Sequence, residues 1–527
     1  MRYRISLGTF LILASALSAG AGDREVRDFR FVKETTPALS FSNAAALGLW
    51  TDKISVVEVE STKGNGAAVP LEGSKDDFSV RAGTESFFRI SDRLVFHGKL
   101  SWSDFQGKEM GGPILMDPDL HPVNFLESDE NTVGVKKREL YGLVGALALR
   151  LGEKWFAGLE INYESGDQTK VKDPRFSNVL MDLGLSGGIA YRPSDQLLLG
   201  ASLHYRDLLE QIRGGIYGTA DLQYFIQTDK GGFLGSVAEL TGDYNYVPSS
   251  SYRPMVDRYY GISFQALVAN RFSNELTFRY RDGYYGKKAS SSPVFFDYSG
   301  IEGEYEGVCL LPAGRSLHRM ALTLGLATLG NAENVLRYVT PPGQNTIVEY
   351  TGENNILDRI DWEAALDYRW YRDTEGARPG STLGLKAGFR SRNQTTTLYP
   401  FYRNHSFSQI SLDLYGQKCW TWGPMSFILD VSATGLAGFG TDKEDGSYAS
   451  GTTSGLKSFD NYLGRYFEFK TAPRAGASLG LTVARRIKGG FEPYLRLSDS
   501  FLSLLAEPQY LQGRTRNVAA LSIGCNF

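Results

Sequence analysis

The chain has 527 residues, of which 56 are lysine or arginine and 59 are aspartate or glutamate, so its formal net charge is −3. This charge is too small and too mixed in sign to favour nucleic acid as a partner. Mean hydropathy is −0.24, and after the N-terminal region no apolar stretch approaches the ~18 residues of a membrane-spanning helix, which excludes a helical membrane protein.

The first residues predict export. Arg2 and Arg4 give a basic start, residues 5–17 are mostly apolar, and Ala19-Gly20-Ala21 fits a cleavage site near Ala21. This three-part order is typical of a secretory signal peptide and disfavours an amphipathic or core helix. We therefore expect residues 1–21 to be a cleaved signal peptide.

Residues 22–53 precede the first predicted strand. They are polar at first, in the stretch 23–28, and then small and apolar, in the stretch 41–48. Two placements stay open for this segment. It either folds into the lumen of the barrel as a short hatch, resembling that of fatty-acid transporter-type barrels, or trails in the periplasm, since termini are disordered unless they are tied down.

Residues 54–527 repeat one pattern, in which stretches of roughly 10 to 15 residues alternate apolar side chains with small or polar ones. In one such stretch Leu183 and Leu185 fall on one face, while Asp182, Gly184 and Ser186 fall on the other. This period of two is that of a transmembrane β-strand, a weak signal in one segment and a strong one when it is repeated. It predicts an all-β fold, a single transmembrane antiparallel β-barrel.

The connections between these stretches alternate in length. Short turns alternate with longer polar connections at about 107–132, 166–178, 212–256, 286–294, 331–352, 395–405, 439–462 and 504–512. This alternation is typical of outer-membrane barrels, with short periplasmic turns and long extracellular loops. With 54–62 as the first strand it predicts about 18 strands, and 16 remains the alternative; an even number places both ends of the barrel in the periplasm.

The stretch 361–370 shows why a soluble β-sandwich is disfavoured. Trp362 and Leu366 share one face, while Asp361 and Glu363 share the other. A wide barrel offers lipid to the apolar face and an aqueous lumen to the charged face, and closure removes the edge strands that a sheet would expose. The same pattern predicts that the following residues line the lumen: Asp182, Arg206, Arg279, Arg281, Asp361, Glu363, Asp367, Arg369, Lys386 and Arg390.

The C-terminus carries the sharpest single signal. Leu521, Ile523, Cys525 and Phe527 alternate with small or polar residues up to the last position. This segment resembles the recognition strand of bacterial outer-membrane barrels. The resemblance implies that the barrel assembly machinery handles the chain, and that the last strand pairs with the first.

Two N-terminal stretches bear on the family. The Arg27-Asp28-Phe29-Arg30-Phe31 and Ser42-Asn43-Ala44-Ala45 segments are similar to those of an uncharacterised outer-membrane β-barrel family of Bacteroidota. The resemblance implies a location in the bacterial outer membrane and a fold, without an activity. The segment before the first strand is too short for the plug domain of a TonB-dependent receptor.

The sequence predicts no enzyme, cofactor or metal site. Its five histidines stand in no recognisable arrangement with a nucleophile, and the cysteines Cys309, Cys419 and Cys525 are too far apart for a metal motif. The acidic pair Asp117 and Asp119 suggests calcium, which needs six to eight converging oxygens. We interpret such residues as ordinary solvated charges.

Two functions compete. The first is a transport pore for small polar solutes, because a barrel of this width holds an aqueous channel and the predicted lumen residues are charged. The second is a non-conducting scaffold or accessory barrel that binds surface lipoproteins or an uptake transporter. A conduit for apolar molecules is disfavoured, since it requires an apolar lumen. The expected partners are outer-membrane lipid and the assembly machinery.

Overall fold

The computed structural model describes residues 27–128, 132–218, 222–241, 244–247, 253–289, 292–376, 378–450 and 458–527. The predicted signal peptide, residues 1–21, lies outside these residues. None of the helices in this part of the chain is long and apolar enough to cross a membrane.

The helical elements are α1 (Phe29–Thr35), α2 (Asp460–Thr471) and two 3₁₀ turns (Pro37–Leu39 and Ala44–Leu49). The strands of the main sheet are β1 (Lys53–Asn65), β2 (Asp76–Ser91), β3 (Leu94–Met110), β6 (Gly134–Arg150), β7 (Trp155–Lys170), β8 (Arg175–Ser194), β9 (Leu197–Ile216), β12 (Tyr244–Val247), β13 (Pro254–Val268), β14 (Phe272–Ala289), β15 (Ser292–Ala313), β16 (Ser316–Val339), β17 (Ile347–Arg372), β18 (Ser381–Leu398), β19 (Phe401–Trp422), β20 (Met425–Ser447), β21 (Arg474–Arg485), β22 (Glu492–Leu504) and β23 (Thr515–Asn526). The strands of a second sheet are β4 (Gly112–Pro113), β5 (Asn124–Glu127), β10 (Gln223–Asp229) and β11 (Gly235–Thr241).

The main sheet closes into an antiparallel barrel of 18 strands. The last strand pairs with the first, so that Val56 lies opposite Asn526 and Asn65 opposite Asn517. The short strand β12 extends the end of β9 and lies outside the ring. The predicted all-β barrel and its strand number are confirmed, and the alternative of 16 strands is wrong.

The two faces of the barrel wall differ in polarity, because successive side chains of a strand point to opposite faces. Large apolar side chains cover the outside, among them Leu203, which is 65% exposed, and Ile523, which is 59% exposed. The inside carries charged and hydroxyl-bearing residues. This is the arrangement of a barrel whose outer face contacts lipid and whose lumen contacts water.

The wall differs in height around the ring. Strands β16 and β17 have 24 and 26 residues, whereas β21 and β23 have 12 each. Because ~9–11 residues cross a membrane, the longer strands continue well beyond it at the extracellular end.

The predicted loops 166–178, 286–294, 331–352 and 395–405 are therefore largely wrong, since most of these residues belong to strands, whereas β20 takes up only 439–447 of the predicted loop 439–462. Above the membrane both faces of a strand meet water. The apolar alternation that marks a strand within lipid then disappears from the sequence, although the backbone pairing continues. The pattern consequently underestimates strand length at this end.

The second sheet lies inside the barrel and joins two of the predicted extracellular loops. Strands β4 and β5 come from the loop between β3 and β6, and β10 and β11 from the loop after β9, in the order β11-β10-β5-β4. The core of the protein lies in this half of the lumen. Ile114 and Phe125 of the first loop pack against Met255 and Phe296 of the wall, and each such buried side chain contributes about 1.5–3 kcal/mol.

Candidate functional site: the barrel lumen

Residues 27–50 form a segment, here called the hatch, that crosses the periplasmic end of the lumen. Helix α1 begins at Asp28, whose carboxylate accepts from the Phe31 backbone N–H at 2.9 Å. Its apolar side packs on the wall, with Phe29 and Val32 in one cluster with Phe87. The segment is thus an ordered part of the lumen.

Glu34 binds the hatch to the far wall of the barrel. Its carboxylate forms an ion pair with Arg369 and accepts from the Tyr371 hydroxyl at 2.7 Å, while its backbone carbonyl accepts from Arg319 at 3.1 Å. Burial alone would raise the pKa of the Glu34 carboxyl, but Arg369 outweighs burial and holds the pKa below its ordinary value. Glu34 is therefore charged at neutral pH.

Asn43 binds the other part of the hatch to the strands on the opposite side. Its amide donates to the backbone carbonyls of Ile189 and Ala201, at 3.1 and 3.2 Å, and to the Gln265 side chain at 3.0 Å. Its side-chain oxygen accepts from the Ala45 N–H at 3.0 Å and caps the second 3₁₀ turn. One buried amide thus orients the hatch toward three strands.

A second segment, residues 111–127, crosses the lumen nearer the extracellular end and is here called the inner loop. It leaves the wall between β3 and β6 and reaches Arg359 of β17 and Arg392 of β18. In the order of the 18-strand ring, β17 is the ninth strand from β3. The inner loop therefore spans the full width of the barrel.

Buried charges hold the middle of the inner loop. His121 Nδ1 lies 3.1 Å from a carboxylate oxygen of Asp257, and Arg281, which forms an ion pair with the same carboxylate, donates to the Leu120 carbonyl at 3.1 Å. His121 and Asp257 are almost fully buried. A charge buried in this way is tolerated because it is paired and hydrogen-bonded.

Asp119 lies at the tip of the inner loop and contacts helix α2. Its carboxylate accepts from Tyr466 at 2.9 Å and from Lys470 at 2.8 Å, and it pairs with Arg392 at 3.4 Å. Burial alone would raise the pKa of Asp119, but Lys470 and Arg392 outweigh burial and lower it. The interpretation of Asp119 as a solvated charge is wrong, and its ligands are cations of the protein rather than calcium. The described residues contain no cluster of metal-ligating groups.

The turn between β10 and β11 lies with the inner loop and helix α2 at the extracellular end of the lumen, and together they are here called the upper layer. Tyr462 of α2 donates to the Glu127 carbonyl at 2.5 Å, and Gln227 donates to the Phe233 carbonyl at 2.7 Å. Asp229 accepts from the Gly231 N–H at 2.9 Å, yet burial raises the pKa of its carboxyl to about 7. This carboxyl titrates near neutral pH.

Two cavities large enough for a small solute lie in the part of the lumen that the structure describes. The larger, of about 1010 Å³, is lined by hatch residues such as Phe31 and Glu34 and by wall residues as far as Arg138, which donates to the Met116 carbonyl of the inner loop at 3.5 Å. The smaller, of about 470 Å³, has Ser42 of the hatch and Leu120 of the inner loop among its lining residues. The space between the hatch and the inner loop can hold a small solute.

Most of the residues predicted to line the lumen lie in oppositely charged groups. Arg206 donates to Asp182 at 2.9 and 2.7 Å, and Arg279 pairs with Glu304 at 2.8 Å. The remaining pairs are Arg281 with Asp257, Asp361 with Arg359 and Arg392, and Asp367 with Arg369 and Arg319.

Glu363, Lys386 and Arg390 occupy matching positions on β17 and β18. Glu363 lies directly opposite Arg390 in the strand register, and Asp367 lies opposite Lys386. Residues directly opposite in an antiparallel pair point to the same face. The structure thus places these four charged groups on one face, in two rows with Ala365 and Gly388 between them.

At the C-terminus Leu521 and Ile523 are exposed on the outer face, and Cys525 is partly buried. Phe527 stacks near Phe491, with ring centroids 5.8 Å apart. The pairing of β23 with β1 agrees with what the resemblance implied for the last strand. Recognition of these four residues by the assembly machinery stays a prediction.

The sequence analysis missed the residues that hold the two crossing segments. Glu34, Asn43 and Tyr466 gave no signal, because their partners are distant in sequence. For Asn43 one local sign exists, since an Asn before Ala44-Ala45-Ala46 is a helix N-cap signature. Nothing local marks Asp119 as the contact of a helix more than 300 residues away.

The sequence pattern of one protein family, described as a family of unknown function (DUF6850), matches residues 44–527. No curated protein matches the sequence. Solved structures of similar fold include the outer membrane transporter YddB from Escherichia coli (TM-score 0.39, 8% identity, 90% of this chain and 81% of that one). Others are the ferric preacinetobactin receptor BauA from Acinetobacter baumannii (0.37, 8%, 90% and 80%) and a FadL homologue from Pseudomonas aeruginosa (0.31, 10%, 96% and 95%). At these values the likeness concerns the general fold alone.

Proposed function

This chain belongs to a family of unknown function, DUF6850, and from that premise we propose that it is a gated transport barrel of the bacterial outer membrane for small polar solutes. The apolar outer face and the closed ring of an even number of strands support the location. The predicted signal peptide accords with export.

One observation carries the proposal: a lumen with charged walls is crossed at two levels, with cavities of about 1010 and 470 Å³ beside the crossing segments. A passive porin needs no hatch, and a scaffold needs no solute-sized cavity. Charged walls suit polar solutes, because transfer of a polar group into apolar surroundings is costly. The arrangement is that of a gated passage.

The contacts at both levels are of a kind that can open. The hatch is bound at Glu34 and Asn43 largely by hydrogen bonds and ion pairs, each worth about 0.5–1.5 kcal/mol net, because water replaces them when they break. The hatch continues into β1 at its C-terminal end, and the inner loop leaves the wall at β3 and returns to it at β6. Apart from the pairing of β5 with β10, side chains supply much of their attachment. Displacement of either segment leaves the pairing of the barrel strands intact.

A second candidate, a barrel that binds surface lipoproteins or an uptake transporter, is favoured by one observation. Where the wall is tallest, Tyr338, Tyr350, Tyr399 and Tyr448 are exposed at the extracellular end. Tyrosine is enriched at protein interfaces because it offers apolar area with a polar end. A pull-down from native membranes tests this candidate, and a barrel recovered without a partner contradicts it.

The transport proposal is tested by liposome swelling with the purified mature protein and uncharged polar solutes such as glycerol and small sugars. We expect entry that falls with solute size and rises several-fold when Glu34→Gln and Asn43→Ala loosen the hatch. The matched control is Glu375→Gln, which removes a carboxylate exposed at a periplasmic turn. A folded protein that admits no solute in either form contradicts the proposal.

A further inference from the structure

The charges of the lumen are largely balanced, except on one part of the wall of the larger cavity. Arg81 on β2, Lys99 on β3 and Arg138 on β6 all line that cavity. We infer that they form a binding patch for small monocarboxylates. This inference deepens the proposed transport function and rests on it for the passage of the solute.

The three cations lie on neighbouring strands and face the lumen. In the strand register Arg81 lies between Ser103 on β3 and Glu60 on β1, Lys99 lies opposite Glu85, and Arg138 lies opposite Phe105. The side chains of Arg81 and Lys99 are exposed to the cavity. Side chains of this length reach several ångströms into the lumen, so cations spaced along three strands can approach one solute.

These cations take no part in the ion pairs that hold many other charged residues of the lumen. Within the part of the chain that the structure describes, no carboxylate oxygen lies within 4.0 Å of the charged nitrogens of Arg81, Lys99 or Arg138. Glu85, the residue opposite Lys99, is instead bound by Lys33 of the hatch at 2.7 Å and by His97 at 3.1 Å. The hatch thereby occupies the carboxylate that would neutralise Lys99.

The wall between the cations is flat and polar. Ser101 lies between Gly83 on one side and Gly142 on the other in the same row. A Cβ on Gly142 would come within 2.4 Å of the Ser101 hydroxyl oxygen, so only glycine leaves that hydroxyl its space. Arginine and lysine donate charge-assisted hydrogen bonds to carboxylates, and a hydroxyl adds a further donor.

Acidic residues of the same wall, among them Glu60 and Glu164, limit the charge of the solute. Glu164 lines the same cavity and lies directly opposite Gly142. A second negative charge on the solute would be repelled there, whereas a neutral or ammonium group would be accepted. The patch therefore fits a monocarboxylate, including one that carries an amino group, better than a phosphate.

The test is isothermal titration of propionate and of L-alanine into the full mature protein in detergent at low ionic strength. The weakened variant is Arg81→Gln with Lys99→Gln and Arg138→Gln. Its matched control, Arg93→Gln with Arg315→Gln and Arg372→Gln, removes three exposed cations at the periplasmic turns. We expect saturable binding, weakened about tenfold or more in the first variant, since each factor of ten is ~1.4 kcal/mol, and unchanged in the control.

Three results overturn the inference: no binding of either probe by the unmodified protein, equal binding by the first variant, or tighter binding of inorganic phosphate than of propionate. Lys99→Gln alone, expected to weaken binding by a smaller factor, serves if the triple variant fails to fold. Liposome swelling with glycerol separates the two proposals. If glycerol enters but propionate does not bind, the transport function is retained and the patch is rejected. If propionate binds but no solute enters, the patch is retained and the transport function is rejected.

Discussion

The Tyr466 hydroxyl donates a hydrogen bond to Asp119 at 2.9 Å, although 347 residues separate the two. Through this contact a helix from the loop between β20 and β21 holds the tip of a loop that starts between β3 and β6. Lys470, one turn further along the helix, binds the same carboxylate at 2.8 Å. Loops that are distant in sequence thus form the upper layer of the lumen by contacting one another.

Asp119→Asn should loosen the inner loop. The change removes the carboxylate that pairs with Lys470 and leaves Arg392 paired with Asp361, and breaking a largely buried ion pair costs about 1–3 kcal/mol at this degree of exposure. Hydrogen exchange of residues 111–127 should become faster, while that of the barrel strands stays the same. The control is Asp117→Asn, an exposed acid in the same loop. Equal protection in both variants would show that Asp119 does not hold the loop.

Glu34 makes the hatch sensitive to acid. The folded pKa of Glu34 lies below its ordinary value. The stabilisation that the charged carboxylate gives the hatch is therefore complete above the unfolded pKa and is lost as pH falls through the folded pKa. After correction for the intrinsic exchange rate, residues 29–35 should be less protected at acidic pH than at neutral pH. In the Glu34→Gln variant these residues should exchange fast at neutral pH as well, and acidification should cause no further loss of their protection. A hatch equally protected at both pH values contradicts this account.

Asp229 should give the β10–β11 hairpin a pH dependence opposite to that of the hatch, with less protection at higher pH. Its folded pKa of about 7 lies above the ordinary 3.8, so folding favours the protonated carboxyl. The stabilisation that the protonated carboxyl gives the fold is present at low pH and is lost as pH rises from about 4 through 7. The β10–β11 hairpin should therefore exchange faster at pH 8 than at pH 5 after correction for the intrinsic rate. Asp229→Asn should remove that difference, and its persistence would assign the effect to another group.

Gly158→Ala should displace the hatch by sterics alone. A Cβ at this position would lie 2.1 Å from the Ala45 backbone nitrogen, whereas a Cβ at Gly184, another glycine facing the lumen, meets its nearest atom at an ordinary 3.5 Å. Liposome swelling by Gly158→Ala should exceed that of the unmodified protein, and Gly184→Ala should match it. Equal rates for both variants would mean that the hatch does not limit passage.

The sequence was most informative where lipid imposes a period of two on the side chains. Leu183, Leu185 and Trp362 lie on the outer face of their strands and Asp182 and Asp361 on the other face, because a one-residue shift would place charges in lipid. These features depend on neighbours within one strand, so a single sequence contains them. The pairing of β23 with β1 was instead implied by the resemblance of the C-terminal segment to a recognition strand.

The segments inside the lumen show no such periodic pattern in the sequence. Asn43 contacts Gln265, and Glu34 contacts Arg369, across more than 200 residues in each case. Such pairs form only after the barrel has brought its walls together, and a polar residue in a loop looks the same whether it binds water or a distant arginine. The sequence therefore left the placement of the hatch open between the lumen and the periplasm, and it gave no sign that the inner loop crosses the lumen.

The most direct test of the gate is single-channel current through the purified mature protein in a planar bilayer, compared with the Glu34→Gln and Asp119→Asn double variant. Both crossing segments are then loosened while the strand pairing is untouched. The account predicts a mostly closed protein with brief openings, and long-lived open states in the double variant. A double variant that is folded and inserted, yet as silent as the unmodified protein, would contradict it.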